Sequence, residues 1–121
     1  MSNFSQLSLH KRIGRICIVL EAEMVGNDLL IRIGGGEKHI GAIALAEPDS
    51  ECMSLDVPGH RERELACEIA EMFASGLFRR VAVIAGIHYD NITCSEIDAA
   101  LHLARQLARE GLQILQKELT T

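Results

Sequence analysis

The chain has no tryptophan, one tyrosine and three phenylalanines, so aromatics make up only 3% of its 121 residues. A core of stacked rings is excluded, and the interior has to come from Ile, Leu, Val and Ala. Basic residues never run beyond the pairs Lys11-Arg12 and Arg79-Arg80, and the net charge is −5. Affinity for a phosphate backbone comes from Lys and Arg, so nucleic acid is not an expected partner. No apolar run approaches the roughly 20 residues of a membrane-spanning helix, and no signal peptide precedes the first element. The four cysteines, Cys17, Cys52, Cys67 and Cys94, form no C-x-x-C pair. Their spacing fits neither a zinc ribbon nor a dense disulfide framework, which points to a cytoplasmic protein with reduced thiols. A nucleophile motif is also lacking, and Cys94, at a helix start, has no base beside it in sequence.

What is present is an apolar content of 48%, enough for one core, and the simplest organisation is a single domain over residues 1–121. Residues 1–11 are polar and read as a frayed tail. Ile16 to Met24 alternates as a strand, with Ile16, Ile18, Leu20, Ala22 and Met24 on one face. Gly26-Asn27-Asp28 turns the chain into a second strand, Leu29 to Ile33, which Gly34-Gly35-Gly36 breaks. His39 to Ala46 is a third strand whose Ala42, Ala44 and Ala46 suit close packing by a helix. Cys52 to Val57 is a fourth, with Met53, Leu55 and Val57 expected inward.

A helix follows Pro58-Gly59-His60, with Leu65, Ile69, Met72 and Phe73 on its stripe and Gly76 as its stop. Val81 to Ala85 is apolar on both faces, as a central strand should be. Thr93-Cys94-Ser95-Glu96 matches the capping box that opens a long helix, within which Gly111 marks a bend or a close contact. The order β-β-β-β-α-β-α predicts an α+β fold: one mixed, mostly antiparallel sheet with two helices packed on it. A domain this small leaves much surface exposed, so a homodimer covering a sheet face or edge is expected.

Three histidines stand in glycine-bearing loops: Gly34-Gly35-Gly36-Glu37-Lys38-His39-Ile40-Gly41, Pro58-Gly59-His60-Arg61-Glu62, and Gly86-Ile87-His88-Tyr89-Asp90-Asn91. If the second strand runs up, an antiparallel meander sends the third down and the fourth up. A helical crossover then makes the fifth run up as well. All three loops therefore fall on one edge of the sheet. Two helix N-termini are expected there too, and their free N–H groups favour an anion, with Arg61 able to add a bidentate contact.

Each of these features also has a plain structural meaning. Three glycines suit a turn or bulge, His60 can cap a helix, and Arg61 and Glu62 can form its solvated face. Asp90 and Asn91 can be turn residues bonding their own backbone. His10 and His102 suggest nothing beyond surface. A metal centre of His39, His60 and His88, with Glu62 or Asp90 as base, is the chemical alternative and would make the chain a small metal-dependent hydrolase or lyase. The short H-x-x-x-H spacing that often announces such sites is absent.

The same three segments resemble the LpdD-like prenylated-flavin chaperone family. The correspondence runs through Gly34-Gly35 and His39-Ile40-Gly41-Ala42, then Pro58-Gly59-His60-Arg61-Glu62, then Ala85-Gly86-Ile87-His88-Tyr89-Asp90-Asn91. Lys38 departs from the proline that often precedes this histidine. The resemblance implies a fold similar to proteasome assembly chaperones. It also implies a non-enzymatic accessory protein that binds prenylated FMN (or FMN) and assists its maturation or delivery to a UbiD-type decarboxylase of aromatic acids such as gallate. On that basis Gly34, Gly35, Gly36 and the N–H groups after Gly59 would cradle phosphate, with His60 or Arg61 supplying charge. His39, His88 and Asn91 would meet the ring edge or ribityl hydroxyls, any ring stacking would fall to Tyr89, a histidine or peptide planes, and Gly41 completes the first motif. A dimeric interaction module without a small ligand is the other alternative, with the sheet face carrying Ile16, Ile18 and Leu20 supporting dimerisation and the loops gripping a partner polypeptide.

Overall fold

The computed structural model describes residues 6–58 and 62–119. Eight elements follow in chain order: β1 (Gln6–Ile13), β2 (Ile16–Val25), β3 (Asp28–Gly36), β4 (Ala42–Ala46), β5 (Met53–Asp56), α1 (Arg63–Leu77), β6 (Val81–His88) and α2 (Cys94–Leu119). They build one six-stranded mixed sheet in the order β1-β2-β3-β6-β4-β5.

The expected α+β architecture is present, with one strand more than the sequence reading gave. Residues 6–11, read as part of a frayed tail, belong to β1, which pairs antiparallel with β2 from Gln6↔Glu23 to Ile13↔Ile16. The physical reason is local. Leu7 and Leu9 alternate with polar residues and pack on the core, and the Gly14-Arg15 loop, with Gly14 at φ 58°, closes a two-residue hairpin.

The neighbours of the central strand also differ from a simple meander. β6 lies between β3 and β4, parallel to β3 (Leu29↔Val81 to Gly36↔His88) and antiparallel to β4 (Ala42↔Ala85 to Ala46↔Val81). A strand apolar on both faces gains most from two strand neighbours, and this position supplies them. The strand directions nevertheless come out as the crossover argument requires. β3, β5 and β6 all end at one edge, and β4 begins there.

Both helices cover a single face. Ile16, Ile18 and Leu20 of β2, Leu29, Ile31 and Ile33 of β3, Val81, Val83 and Ala85 of β6 and the alanines of β4 lie beneath them, all fully buried. Ile16, Ile18 and Leu20 were expected to offer a dimer surface, but they form the core under α2. Met53 and Leu55 were expected inward; they are 63% and 73% exposed and Val57 is 42% exposed. With Ile43, which pairs with Leu55, Met53 and Leu55 stand on the open face. The strand period is the cause: once Ser54 and Asp56 take one phase on the edge strand, Met53 and Leu55 must take the other.

Gly76 lies inside α1 rather than ending it. The helix stops at Phe78, in the left-handed region at φ 54°, whose N–H bonds the Ala74 carbonyl. Gly76 instead lets α2 approach, since a Cβ there would stand 2.8 Å from Leu112 Cδ1. The capping box forms as the sequence predicts. Glu96 N–H donates to Thr93 Oγ1 (3.1 Å) and Thr93 N–H to Glu96 Oε1 (3.0 Å).

Candidate functional site

Beyond the ends of β3 and β6, residues 37–41 form a strap that crosses the end of β6 to reach β4. Backbone bonds fasten it: Glu37 N–H to the His88 carbonyl (3.0 Å), Gly41 N–H to the Ala85 carbonyl (2.8 Å), and Val57 N–H to the Gly41 carbonyl (2.8 Å). Glycine is required where the strap crosses. A Cβ on Gly86 would stand 2.0 Å from the His39 carbonyl oxygen, and one on Gly36, at φ 69°, would stand 1.9 Å from the His88 oxygen.

Between the strap and the open face lies a concave cavity of about 720 Å3, lined by Cys17, Val19, Glu21, Arg32, Ile33, Gly34, Gly35, Gly36, Lys38, His39, Ile40, Ile84, Gly86 and Tyr89. That volume falls within the range of roughly 300–1,000 Å3 typical of small-molecule sites. Gly34 leaves bare backbone on the sheet, with Val19 and Ile84 beside it as apolar floor, while Gly86 lies under the His39 carbonyl of the strap. Arg32 and Lys38 are the cations of the wall, and Arg32 is engaged by Glu23 at 2.8 Å.

Tyr89 folds back against Gly35 and Gly36. Its hydroxyl accepts from Cys17 N–H (2.8 Å) and donates to the Cys17 carbonyl (2.9 Å). Arg15 sits 5.6 Å from the ring centroid. The ring is thus held at both ends and forms a fixed wall, with its hydroxyl already used by backbone.

His39 and His88 come together as T-shaped rings with centroids 6.1 Å apart. His39 Nδ1 lies 3.1 Å from the Glu37 carbonyl, and its Nε2 lies 3.3 Å from Glu62 Oε1. His88 Nε2 lies 3.3 Å from Asp90 Oδ1 at the exposed rim.

Of the residues singled out in the sequence, Gly34, Gly35, Gly36, His39 and Tyr89 line the cavity. Gly41, the last residue of the strap, lies against Glu62, where a Cβ would fall 2.4 Å from Oε2. His88 stands at the rim. Asn91 is an exposed turn residue with φ 54° and does not line the cavity, which is its plain structural role. Gly59, His60 and Arg61, and with them the phosphate cradle assigned to that loop, lie outside the described residues.

The N-terminus of α2, expected to receive an anion, is taken up by its own chain. Glu96 caps it, and Arg15 holds that carboxylate at 2.8 and 3.0 Å. Hydrogen bonding from the guanidinium, then from Thr93, draws the Glu96 pKa down to about 2. Among the described residues no group of three His, Cys, Asp or Glu side chains could hold a metal ion. His60, a member of the three-histidine alternative, is not among them.

The residues that the sequence reading missed are Cys17, Val19, Glu21, Arg32 and Ile84. All five are legible as the outward phase of their strands, which attracts notice only once that face is known to be concave. A second cavity of about 580 Å3 lies at the opposite edge, around Asp28, Glu47, Phe78 and Arg80. Its guanidinium is paired with Glu47 (2.7 Å) and Asp28 (3.5 Å), so that edge is a structural ion-pair cluster. Among the described residues no helix is long and apolar enough to cross a membrane.

A one-layer sheet backed by two helices on a single face is the fold of a proteasome assembly chaperone. The crystal structure described as a novel chaperone complex for yeast 20S proteasome assembly superposes with a TM-score of 0.60 at 13% identity, covering 96% of this chain and 99% of that one. At this identity the likeness concerns fold alone. The chain belongs to the family of the prenylated flavin chaperone LpdD-like domain, whose model matches residues 12–116. No curated protein matches it.

Proposed function

We propose that this chain is a non-enzymatic, cytoplasmic chaperone that binds prenylated FMN in the strap cavity and assists its maturation or its delivery to a UbiD-type decarboxylase of aromatic acids. The observation that carries the reading is the bare backbone of Gly34 on the open face, flanked by Val19 and Ile84, where a planar ring can lie without meeting a Cβ. When bound, the prenylated flavin supplies the electron-accepting ring that the client enzyme needs. This chain's own residues bind and shield it: Val19, Ile84 and Ile40 exclude water, Tyr89 and His39 wall the cavity, and Lys38 offers an ammonium to the phosphate or the reduced ring. The phosphate contact assigned to His60 and Arg61 is retained as part of the proposal.

The test is an anaerobic titration of reduced prenylated FMN into the wild type and into Val19→Trp, which fills the cavity over its cross-strand partner Gly34 while leaving every glycine in the sequence. The reading expects binding in the first and its loss in the second. Equal affinity in both would place the ligand elsewhere.

The open face favours a homodimer as the working form. Ile43, Met53 and Leu55 form an exposed apolar cluster beside Ile40, and this face of the central strand has no helix over it. A two-fold contact would bury the uncharged cluster against itself. Sedimentation of the wild type and of Leu55→Lys tests this, and a monomeric wild type would overturn it.

A further inference from the structure

Two of the four cysteines meet across the fold. Cys52 stands immediately before the edge strand β5 and Cys67 lies in α1, 15 positions further along the chain, yet their Sγ atoms are 2.9 Å apart. That separation is within about 1 Å of the ~2.05 Å bond of a disulfide. Both side chains are half-buried and pack against the core, so the sulfurs are held in place but stay within reach of a small solute. Cys94 is exposed at the start of α2 and Cys17 lines the strap cavity, so neither belongs to this pair.

The pair stands where the shortest strand of the sheet meets a helix. β5 has four residues and pairs with β4 alone, from Ala42↔Asp56 to Leu45↔Met53. A short strand at a sheet edge opens at low free-energy cost. Met53 and Leu55 point away from the helices and are exposed, while Ser54 Oγ accepts from Arg63 Nε of α1 (2.6 Å). The thiol contact lies next to that bond, one position before the strand begins.

We propose that Cys52 and Cys67 are a redox pair: hydrogen peroxide joins them in a disulfide that staples β5 to α1, and a dithiol opens it again. The Cys67 sulfur attacks one peroxide oxygen and the O–O bond breaks. The thiol proton leaves with the other oxygen as water, and Cys67 becomes a sulfenic acid. The Cys52 sulfur then attacks the Cys67 sulfur, the S–O bond breaks, and the departing hydroxide takes the Cys52 proton as a second water. The sulfurs are oxidised by two electrons in all, and the peroxide is reduced by two.

The surroundings set the order of attack. Burial, then the Cys67 thiol, push the Cys52 pKa up to about 12, so Cys52 keeps its proton and is the second sulfur to react. Its Sγ has the Cys67 sulfur at 2.9 Å and the Met53 carbonyl at 3.4 Å, and the nearer of the two is the atom it bonds on oxidation. The pair depends neither on flavin binding nor on dimerisation.

The experiment exposes the full-length chain to rising hydrogen peroxide at neutral pH, stops the reaction by alkylation, and maps the thiols by peptide mass spectrometry. The expected product joins the Cys52 and Cys67 peptides and disappears on treatment with dithiothreitol. Amide exchange is read in the reduced and oxidised forms. Residues 53–57 should exchange about 100-fold more slowly once oxidised, as closing a loop of about 15 residues implies, with α2 unchanged. In Cys52→Ser a sulfenic-acid probe should label Cys67, and peroxide should bring residues 53–57 no protection.

Peroxide that oxidises Cys94 but leaves Cys52 and Cys67 as free thiols overturns the pair, as does a disulfide from either of them to another cysteine. A disulfide between the two with unchanged exchange at residues 53–57 overturns the staple. Absence of the sulfenic-acid label on Cys67 in Cys52→Ser overturns the order of attack. Should that variant fail to fold, the wild-type peptide map and exchange rates decide the proposal by themselves.

Discussion

Gly86→Ala is the smallest change that attacks the site through its backbone. The new Cβ would meet the His39 carbonyl oxygen at 2.0 Å and the His39 carbonyl carbon at 2.9 Å, and neither is a side-chain end that can swing away. The strap has to retreat by about 1 Å to restore a normal contact. Retreat stretches the 2.8 Å bond from Gly41 N–H to the Ala85 carbonyl and draws His39 Nε2 away from Glu62. Overpacking of this kind costs about 1–3 kcal/mol, and one weakened hydrogen bond adds roughly 1 kcal/mol. For a domain of this size the sum of ~2–4 kcal/mol corresponds to a fall in Tm on the order of 10 °C. The assay is thermal denaturation followed by circular dichroism, paired with anaerobic flavin titration, and the variant is expected to be both less stable and weaker in binding. A Gly86→Ala protein with wild-type Tm and affinity would refute the claim that the strap sits tightly on the strand.

Gly111→Ala should act in the opposite direction. Its Cβ would find Phe73, Leu20 and Leu7 at 3.5, 3.6 and 3.8 Å, ordinary contact distances, so the helix gains about 1 kcal/mol, and a lowered denaturation midpoint would contradict this. Thr93→Ala removes the cap of α2 and should cost about 1 kcal/mol in chemical denaturation, with no loss expected only if the capping box contributes nothing. The Glu96 pKa is drawn down to about 2, so the stability it lends is present above the ordinary carboxylate range and fades as pH falls toward 2. In Arg15→Ala that acid-side loss should be smaller and complete at higher pH, and an unchanged acid profile would count against the pairing. Burial and the neighbouring Cys67 thiol push the Cys52 thiol up to about 12, and its Sγ donates to Cys67 Sγ at 2.9 Å. Iodoacetamide at about pH 8 should therefore label exposed Cys94 well before Cys52, as read by peptide mass spectrometry.

How far the sequence reveals this molecule depends on which residues carry the signal. Period and punctuation were enough for β2, β3, the hairpin at Gly26 and the capped start of α2, because the apolar alternation and the Thr93-to-Glu96 spacing are local. The small face of β4 announced the helix that packs on it. Strand adjacency was less legible: nothing local in Leu29–Ile33 says that Val81–Ala85 will pair with it, since that contact is long-range and rests on the central strand's need for two neighbours. β1 escaped notice because only Leu7 and Leu9 speak for it.

The glycines and histidines of the site were visible as motifs, and strand directions alone brought three loops to one edge. What could not be read is that the strap lies on the open face, that Tyr89 bonds Cys17, and that Glu62 reaches His39. Those contacts follow from where the backbone comes close, and bare glycine at Gly86 permits that approach without naming the partner.

The central claim is that the cavity under residues 37–41 receives the prenylated flavin. The most direct measurement is backbone amide NMR of the isotope-labelled protein during an anaerobic titration with reduced prenylated FMN. The account predicts saturable shifts confined to Val19, Arg32, Gly34–Gly36, Lys38–Ile40, Ile84, Gly86 and Tyr89. Shifts gathered instead around Phe78 and Arg80 at the opposite edge, or none at saturating ligand, would contradict it.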